Sequence, residues 1–484
     1  MVNPFAGLEQ GEVMPGPGSI VDAELVQRQV RDHMILNFTD MNDFKDTEIP
    51  IFVRGEGCHV FDVHGKKFID GLSGLYCSNL GHSFGAEIGD VAKAQLEELA
   101  FTPTWYVGHP RAAELADRIA SLTPPGMNRL FFTTGGGEAN ESMWKMVRQW
   151  HQANGQPQRV KAIARNTAYH GTSLGALSFT GIEFCRQPFE PLPIDVTHVS
   201  ETNAYRHPKG DDEASFTQAL LEEMEQAIID AGPDEVALII AEPVQNSGGC
   251  FEPPAGYWAG LRALADKYGI LLTADEVITG FGRVGEWFGS IRYDIAPDFI
   301  IFAKGATAGM APLGGVIVHD RVADMFMSGK AFYNHGITYS GHPVSTAVAH
   351  KVIDIYEREN VLDNVRANEI FLRERLNELR RVPLVGDVRG VGHFFALEMV
   401  KDRATKETFG EAEANWLLRD VLSARMYENG LLCRLDDRGE PVIQLSPPLV
   451  ADQKILGEIV DILGDALDYA WAKVQAGGLD RLSA

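Results

Sequence analysis

A chain of 484 residues can bury one large core and at least one smaller one. Its 43 basic and 67 acidic side chains leave a net charge of −24, which disfavours a nucleic-acid or anionic-membrane binder, since phosphates are repelled overall. Ordinary apolar content with 49 glycines suits an α/β enzyme rich in tight loops rather than a fibrous or disordered chain.

The first 18 residues, rich in Gly and Pro, read as an arm. They hold neither a charged leader nor an apolar core, so no secretion signal is expected and a reducing cytoplasm is the default. Residues 21–36, VDAELVQRQVRDHMIL, have helical spacing, with Ser19 available as a cap. IFVRGEGCHVFDVHGKKFIDGLSG then alternates strand-like runs with turn pairs, which predicts a small antiparallel meander.

After Gly81 the pattern becomes helices alternating with short apolar strands. Helices are expected at 84–100, 110–121, 137–153 and 213–231, and strands at 128–133, 160–165, 194–199, 235–241, 270–275 and 298–303. Continuous apolar strands with helical crossovers argue for an α/β fold with a mostly parallel sheet covered on both faces. From about 345 the helices lengthen, and GHFFALEMV and PVIQLSPPLV read as strands of a smaller α+β domain. The expected division is 1–73 (arm, helix and meander, joining the small domain), 74–344 (large domain) and 345–484 (C-terminal small domain). The five cysteines are far apart and odd in number, with no CxxC and no Cys/His ligand spacing, so neither a metal site nor a disulfide framework is expected.

Chemistry concentrates at strand ends. Lys304 follows the buried run DFIIFA and precedes a loop of small residues. An ammonium at the mouth of a buried strand must be paired, neutralised or covalently engaged, unless it snorkels to the surface. A membrane span is excluded, because the charge, the proline and the glycines of residues 297–318 do not make a helix that crosses a bilayer. Asp275 closes the strand ILLTAD, where α/β sheets bind ligands at the carboxyl edge. Residues 280–285, GFGRVG, match GxGxxG but open no amphipathic helix, and Asp298 begins the next strand rather than ending it, so a nicotinamide fingerprint is not expected. LFFTTGGGEANES takes a strand through a glycine loop into a helix near Glu138, an arrangement whose backbone NH groups and dipole suit a phosphate. Tyr169 and His170 follow another strand, where an aromatic ring can stack on a flat ligand. Schiff-base lysine, carboxylate, phosphate loop and stacking aromatic together describe a pyridoxal phosphate site.

With these residues the chain resembles the class III (ω-) aminotransferases of PLP fold type I, from about residue 30 to 470. The resemblance runs through LSGLYCSNLGH, FFTTGGGEANES, AYHGTS, AEPVQNSGG, ADEVITGFGR, AKGATAGMAPLGG, HGITYSGHPV, RGVGHFFALEMV and LSPPL. It implies that Lys304 holds the aldehyde of pyridoxal 5'-phosphate, that Asp275 binds the pyridine nitrogen, and that Val277 and Tyr169 pack on the two ring faces. Gly136 and Gly137 would offer NH groups to the phosphate, His170 would stand beside the cofactor, and Glu242 would support it. Thr338 would reach the phosphate from a neighbouring subunit, making a homodimer the smallest complete enzyme, with a tetramer as a further option. Arg434 would hold the carboxylate of the keto acid, with Asp436 and Asp437 as competing salt-bridge partners, and Tyr76 and Trp105 would line the amine pocket.

Two departures matter. The family's Ser-Gly-Ser or Ser-Gly-Thr is Gly135-Gly136-Gly137 here, which removes phosphate hydrogen bonds of about 0.5–1.5 kcal/mol each. Ile278 and Ser247 stand where 2-oxoglutarate-linked members often read DEVQTG and QGE, which resembles the pyruvate-linked amine, diamine and β-alanine transaminases. The expected activity is therefore transfer of an amino group from an amine to pyruvate. Alternatives on the same scaffold are a 2-oxoglutarate-linked aminotransferase, an aminomutase, a decarboxylating relative or a catalytically silent one.

Overall fold

The computed structural model describes residues 21–45 and 47–479; the Gly/Pro-rich arm and Ser19 lie outside them. The first helix is Ala23–His33, and its cap is Asp22, whose carboxylate accepts from the Leu25 NH at 3.0 Å. The meander forms from β1 (Phe52–Glu56), β2 (His59–Asp62) and β3 (Lys67–Asp70), all antiparallel.

The central sheet takes β4 (Met127–Thr133), β5 (Lys161–Arg165), β6 (Asp195–Val199), β7 (Val236–Ala241), β8 (Leu271–Asp275), β9 (Phe299–Phe302) and β10 (Gly314–His319). Their order is β4-β10-β9-β8-β7-β5-β6, and β10 alone runs against its neighbours. In β9 the alternation of side chains explains the unbroken apolar run. Phe299 and Ile301 enter the core beneath the helix Gly136–Ala153, with Met143 and Val147, while Ile300 and Phe302 pack with Val348 and Ile353 of the helix Pro343–Arg358.

A third sheet, antiparallel throughout, uses β11 (Val385–Val391), β12 (Phe394–Met399), β14 (Arg434–Asp436) and β15 (Val442–Leu445). The short β13 (Leu431–Leu432) lies parallel to β3, pairing Leu431 with Ile69, so the two ends of the chain share one sheet. They share a core as well: Cys58 and Ile69 pack with Leu397, Ile443 and residues of the long helix Gln453–Gln475.

Residues 280–285 open no helix; they form a turn with Phe281 at φ 60° and Gly282 at φ 96°. Arg283 inside that turn is fully buried and donates to the carbonyls of His393 (3.0 Å) and Pro447 (2.5 Å), to Asn79 Oδ1 (2.6 Å) and to Ser73 Oγ (3.2 Å). The motif thus acts as a staple between the large sheet and both chain ends. Among the described residues no helix is long and apolar enough to cross a membrane.

Candidate active site

The carboxyl ends of β4, β5, β7, β8 and β9 converge, and each delivers one element of the site. Lys304 stands two residues past the end of β9, its backbone at φ 43°, a left-handed conformation that a lysine adopts only when its surroundings enforce it. Its side chain is reached through the cavities it lines, and burial pushes its ammonium pKa below the ordinary lysine value despite the nearby Asp275. The ammonium stands 5.2 Å from the centre of the Tyr76 ring.

β8 ends at Asp275, which is 4% exposed. Three donors hold its carboxylate: His170 Nδ1 at 2.7 Å, Asn140 Nδ2 at 3.2 Å and the Val277 NH at 3.1 Å. Asn140 also donates to the His170 carbonyl at 2.8 Å, so the helix after β4 and the loop after β5 grip the carboxylate together. Burial alone lowers the His170 pKa, but the Glu242 and Asp275 carboxylates outweigh it and hold the imidazole above its usual value. Asn140 Oδ1 and His170 Nε2 are buried with no protein partner.

Glu242 directly follows β7, and β5 ends at Arg165, which is wholly buried and donates to the Glu242 carboxylate at 3.1 Å and to its carbonyl at 2.6 Å. The other Glu242 oxygen accepts from the Tyr169 NH at 3.3 Å, which fixes the backbone that carries the ring. Gly136 and Gly137 form the first turn of the helix Gly136–Ala153. A Cβ on Gly136 would stand 2.8 Å from Val277 Cγ2, so bare backbone is required at this approach.

A cavity of about 260 Å³ is enclosed by Gly136, Gly137, Tyr169, His170, Glu242, Asp275, Val277 and Lys304. A larger one, about 470 Å³, contains Tyr76, Arg434 and Arg438, and the two meet at Tyr169, Asn246 and Lys304. Tyr76 is held in place by its hydroxyl, which donates to Gln444 Oε1 at 2.8 Å, while Gln444 donates to the Asn246 carbonyl at 2.7 Å. Of the two acids flanking Arg434, Asp437 pairs with Arg419 at 2.6 Å, and Asp436 is taken by Arg438 at 2.5 Å, leaving a long 3.6 Å approach to Arg434.

One expected residue lies outside both cavities of its own chain. Trp105 is 56% exposed, lines neither cavity and faces Gly336, because the loop 101–109 runs along the surface rather than inward. Thr338, expected to serve a neighbouring subunit, is exposed and lines neither cavity of its own chain. Conversely, Asn140, Arg165, Gln444 and Arg438 hold the site together without having been singled out by sequence. Only Asn140 carried a local signal, at one turn into the phosphate-loop helix.

Residues 42–467 match the aminotransferase class-III family. A probable aminotransferase of Mycobacterium tuberculosis is 44% identical over 86% of this chain and 89% of its own length. A putrescine–pyruvate aminotransferase of Pseudomonas aeruginosa is 39% identical over 92% of this chain and 96% of its own. The crystal structure of an (S)-enantioselective ω-transaminase from Thermomicrobium roseum superposes with a TM-score of 0.88 at 37% identity, covering 93% of this chain and 99% of that one. The chain therefore belongs to the class-III aminotransferases, pyridoxal-phosphate enzymes of fold type I.

Proposed function

We propose that the chain is an ω-transaminase that carries an amino group from an amine, such as a diamine or β-amino acid, to pyruvate, releasing an aldehyde or ketone and forming alanine. The observation that carries this reading is the joining of the two cavities at Lys304, with a guanidinium, Arg434, in the outer one. A chamber that must take the acceptor's carboxylate in one half-reaction and the donor's carbon chain in the other needs a cation that no acid chelates; Arg434 stands 3.6 Å from Asp436, and its hydrogen-bonding neighbour is the neutral Tyr76 hydroxyl.

The inner cavity fits pyridoxal 5'-phosphate. The backbone approach at Gly136 leaves room that a Cβ would fill, and the helix start there favours an anion. A carboxylate gripped by three donors stands ready for a protonated ring nitrogen, and a lysine whose charged form burial disfavours stands ready for an aldehyde. When bound, the cofactor supplies the aldehyde that captures amines and an electron-withdrawing ring that acidifies the amine-bearing carbon.

In this reading Lys304 Nζ takes the proton from that carbon as base and would deliver it, as acid, to the carbon that was the cofactor's aldehyde. Asp275 keeps the ring nitrogen protonated, and His170 orients Asp275. Tyr169 and Val277 flank the ring, while Glu242 sets the Tyr169 backbone. The NH groups of Gly136 and Gly137 hold the phosphate. Thr338 serves the site of a second copy in a homodimer. Its surroundings support this: Phe101, Trp105, Tyr106 and Tyr339 are exposed apolar rings that a partner would cover. The same pairing brings Trp105 toward an amine pocket. We place the enzyme in the cytoplasm, with a large unit at 74–344 and a small one formed by the two chain ends.

With an amine donor and no acceptor, the holoenzyme should bleach its visible band and release one carbonyl product per site, and pyruvate should restore the band with one equivalent of alanine. Continued product release without acceptor would overturn this in favour of an aminomutase or decarboxylase. Faster restoration by 2-oxoglutarate would overturn the choice of acceptor.

A further inference from the structure

Asp436 is the last residue of β14, two places beyond Arg434, so the two side chains leave the strand on one face. Its carboxylate is 2% exposed and is chelated by Arg438, through Nε at 2.7 Å and Nη2 at 2.5 Å, with the Arg438 NH adding a third bond at 3.1 Å. Arg434 Nε stands 3.6 Å away, beyond hydrogen-bonding length. Arg438 lines the same cavity as Arg434. The other ion pair in that wall, Arg419 with Asp437, is closed on itself.

We propose that Asp436 restricts the acceptor to keto acids with one carboxylate: by chelating Arg438 it leaves Arg434 as the guanidinium offered to substrate, and a second carboxylate finds no partner. The inference rests on the reading that Arg434 receives the acceptor's carboxylate. Within the Arg434–Asp436–Arg438 cluster two guanidinium groups and one carboxylate leave a single positive charge, which one carboxylate neutralises; Asp40 and Asp43, which also line the chamber, offer a second carboxylate only repulsion. A dicarboxylic acid would bring a second anion into a partly enclosed chamber beside Asp436, where an unpaired charge is disfavoured. The arrangement does not vary over the working pH range. Burial alone would raise the Asp436 pKa, but Arg438 and Arg434 outweigh it and hold it at about 2.

Asp436→Asn removes the negative charge and frees Arg438. The ratio of KM for 2-oxoglutarate to KM for pyruvate should fall about tenfold or more, the worth of one charge-assisted pair, while KM for a simple monoamine with no second charged group holds. An unchanged ratio in a folded variant with the holoenzyme's absorbance overturns the proposal. Where Asp436→Asn does not fold, Arg438→Gln reads the same device in the opposite direction. Asp436, without its chelator, closes on Arg434, so KM for pyruvate should rise about tenfold with KM for a simple monoamine unmoved; equal changes for both substrates, or none, overturn it.

Glutarate and propionate titrated into the holoenzyme, followed by its absorbance shift, give a reading independent of turnover. Asp436→Asn should gain affinity for glutarate over propionate, and no gain counts against the proposal. Arg434→Ala separates the two layers. A pyruvate KM that stays put in that variant removes the acceptor reading itself. A rise of about tenfold, beside an Asp436→Asn variant with unaltered preference, removes only the present inference.

Discussion

At Lys304 two constraints meet: a backbone held at φ 43° and an ammonium pushed toward its neutral form by burial. Alanine keeps the backbone strain but removes the buried ammonium, so Lys304→Ala should fold at least as well as the parent chain while losing activity. Turnover should drop by a factor of about 10²–10⁴ or more, the span that positioned proton transfer supplies, and borohydride should no longer fix the cofactor to the chain. Steady-state assays beside a thermal melt check both halves, and retained turnover would dismiss Lys304 from its role. Lys304 and Asp275 were legible in the sequence because a charge placed directly after four or five apolar residues is costly unless something engages it. Asn140 and Arg438 were not legible, since their meaning arises only where distant segments meet. Asn140 touches Asp275 and the His170 carbonyl, and Arg438 turns back on Asp436 in a hairpin-like bend.

Among the elements, those expected from apolar runs of five or six residues between helices are present within one or two positions, as in 235–241 against Val236–Ala241. Strand β10 stands outside those expectations. Its Gly314 and Gly315 weaken strand propensity, yet close packing requires them: a Cβ on Gly315 would lie 2.7 Å from the Phe302 ring, and one on Gly314 would lie 2.8 Å from Gly135. The helix Tyr257–Tyr268 and the π-helical stretch Trp416–Ser423 were likewise not among them; the wider turn of the latter rests on tertiary packing that local periodicity does not report.

The phosphate-loop helix gives a prediction at this scale. A Cβ on Gly137 would meet Ser173 Oγ at 3.6 Å, an ordinary contact, and Gly137 is not in the left-handed region. Gly137→Ser therefore fits, replaces a poor helix former in the first turn and returns a hydroxyl to the phosphate side. Pyridoxal phosphate should bind the apo-chain more tightly by about 0.5–1.5 kcal/mol, a few-fold to tenfold in Kd, measured by fluorescence titration. Gly136→Ser is the control: its Cβ collides with Val277, so affinity should fall.

The whole molecule depends on pairings between its ends that no local pattern announces: β13 against β3, and Arg283 reaching Ser73, Asn79, His393 and Pro447. That second junction also sets the chain's response to acid. His393 is fully buried beside Arg283, and burial first, then the guanidinium, push its pKa down to about 3. His198, on β6, is lowered to about 4 by burial and by the neighbouring Arg186. An unfolded chain protonates both near pH 6.5, whereas the folded one holds them neutral, so between those values the unfolded state binds more protons. Their contribution is therefore complete above pH 6.5 and is lost as pH falls toward 4 and then 3. By pH 5 each histidine should have withdrawn about 2 kcal/mol, so urea midpoints should drop steeply from pH 7 to 5. His170 has the opposite sign, because its raised pKa favours the folded state at low pH and fades as pH climbs past it, so it cannot be the source of that drop. In a His198→Gln, His393→Asn double variant the midpoint at pH 8 should be lower, but its slope between pH 6.5 and 5 should flatten by about half or more. An undiminished slope would assign the acid sensitivity to carboxylates instead.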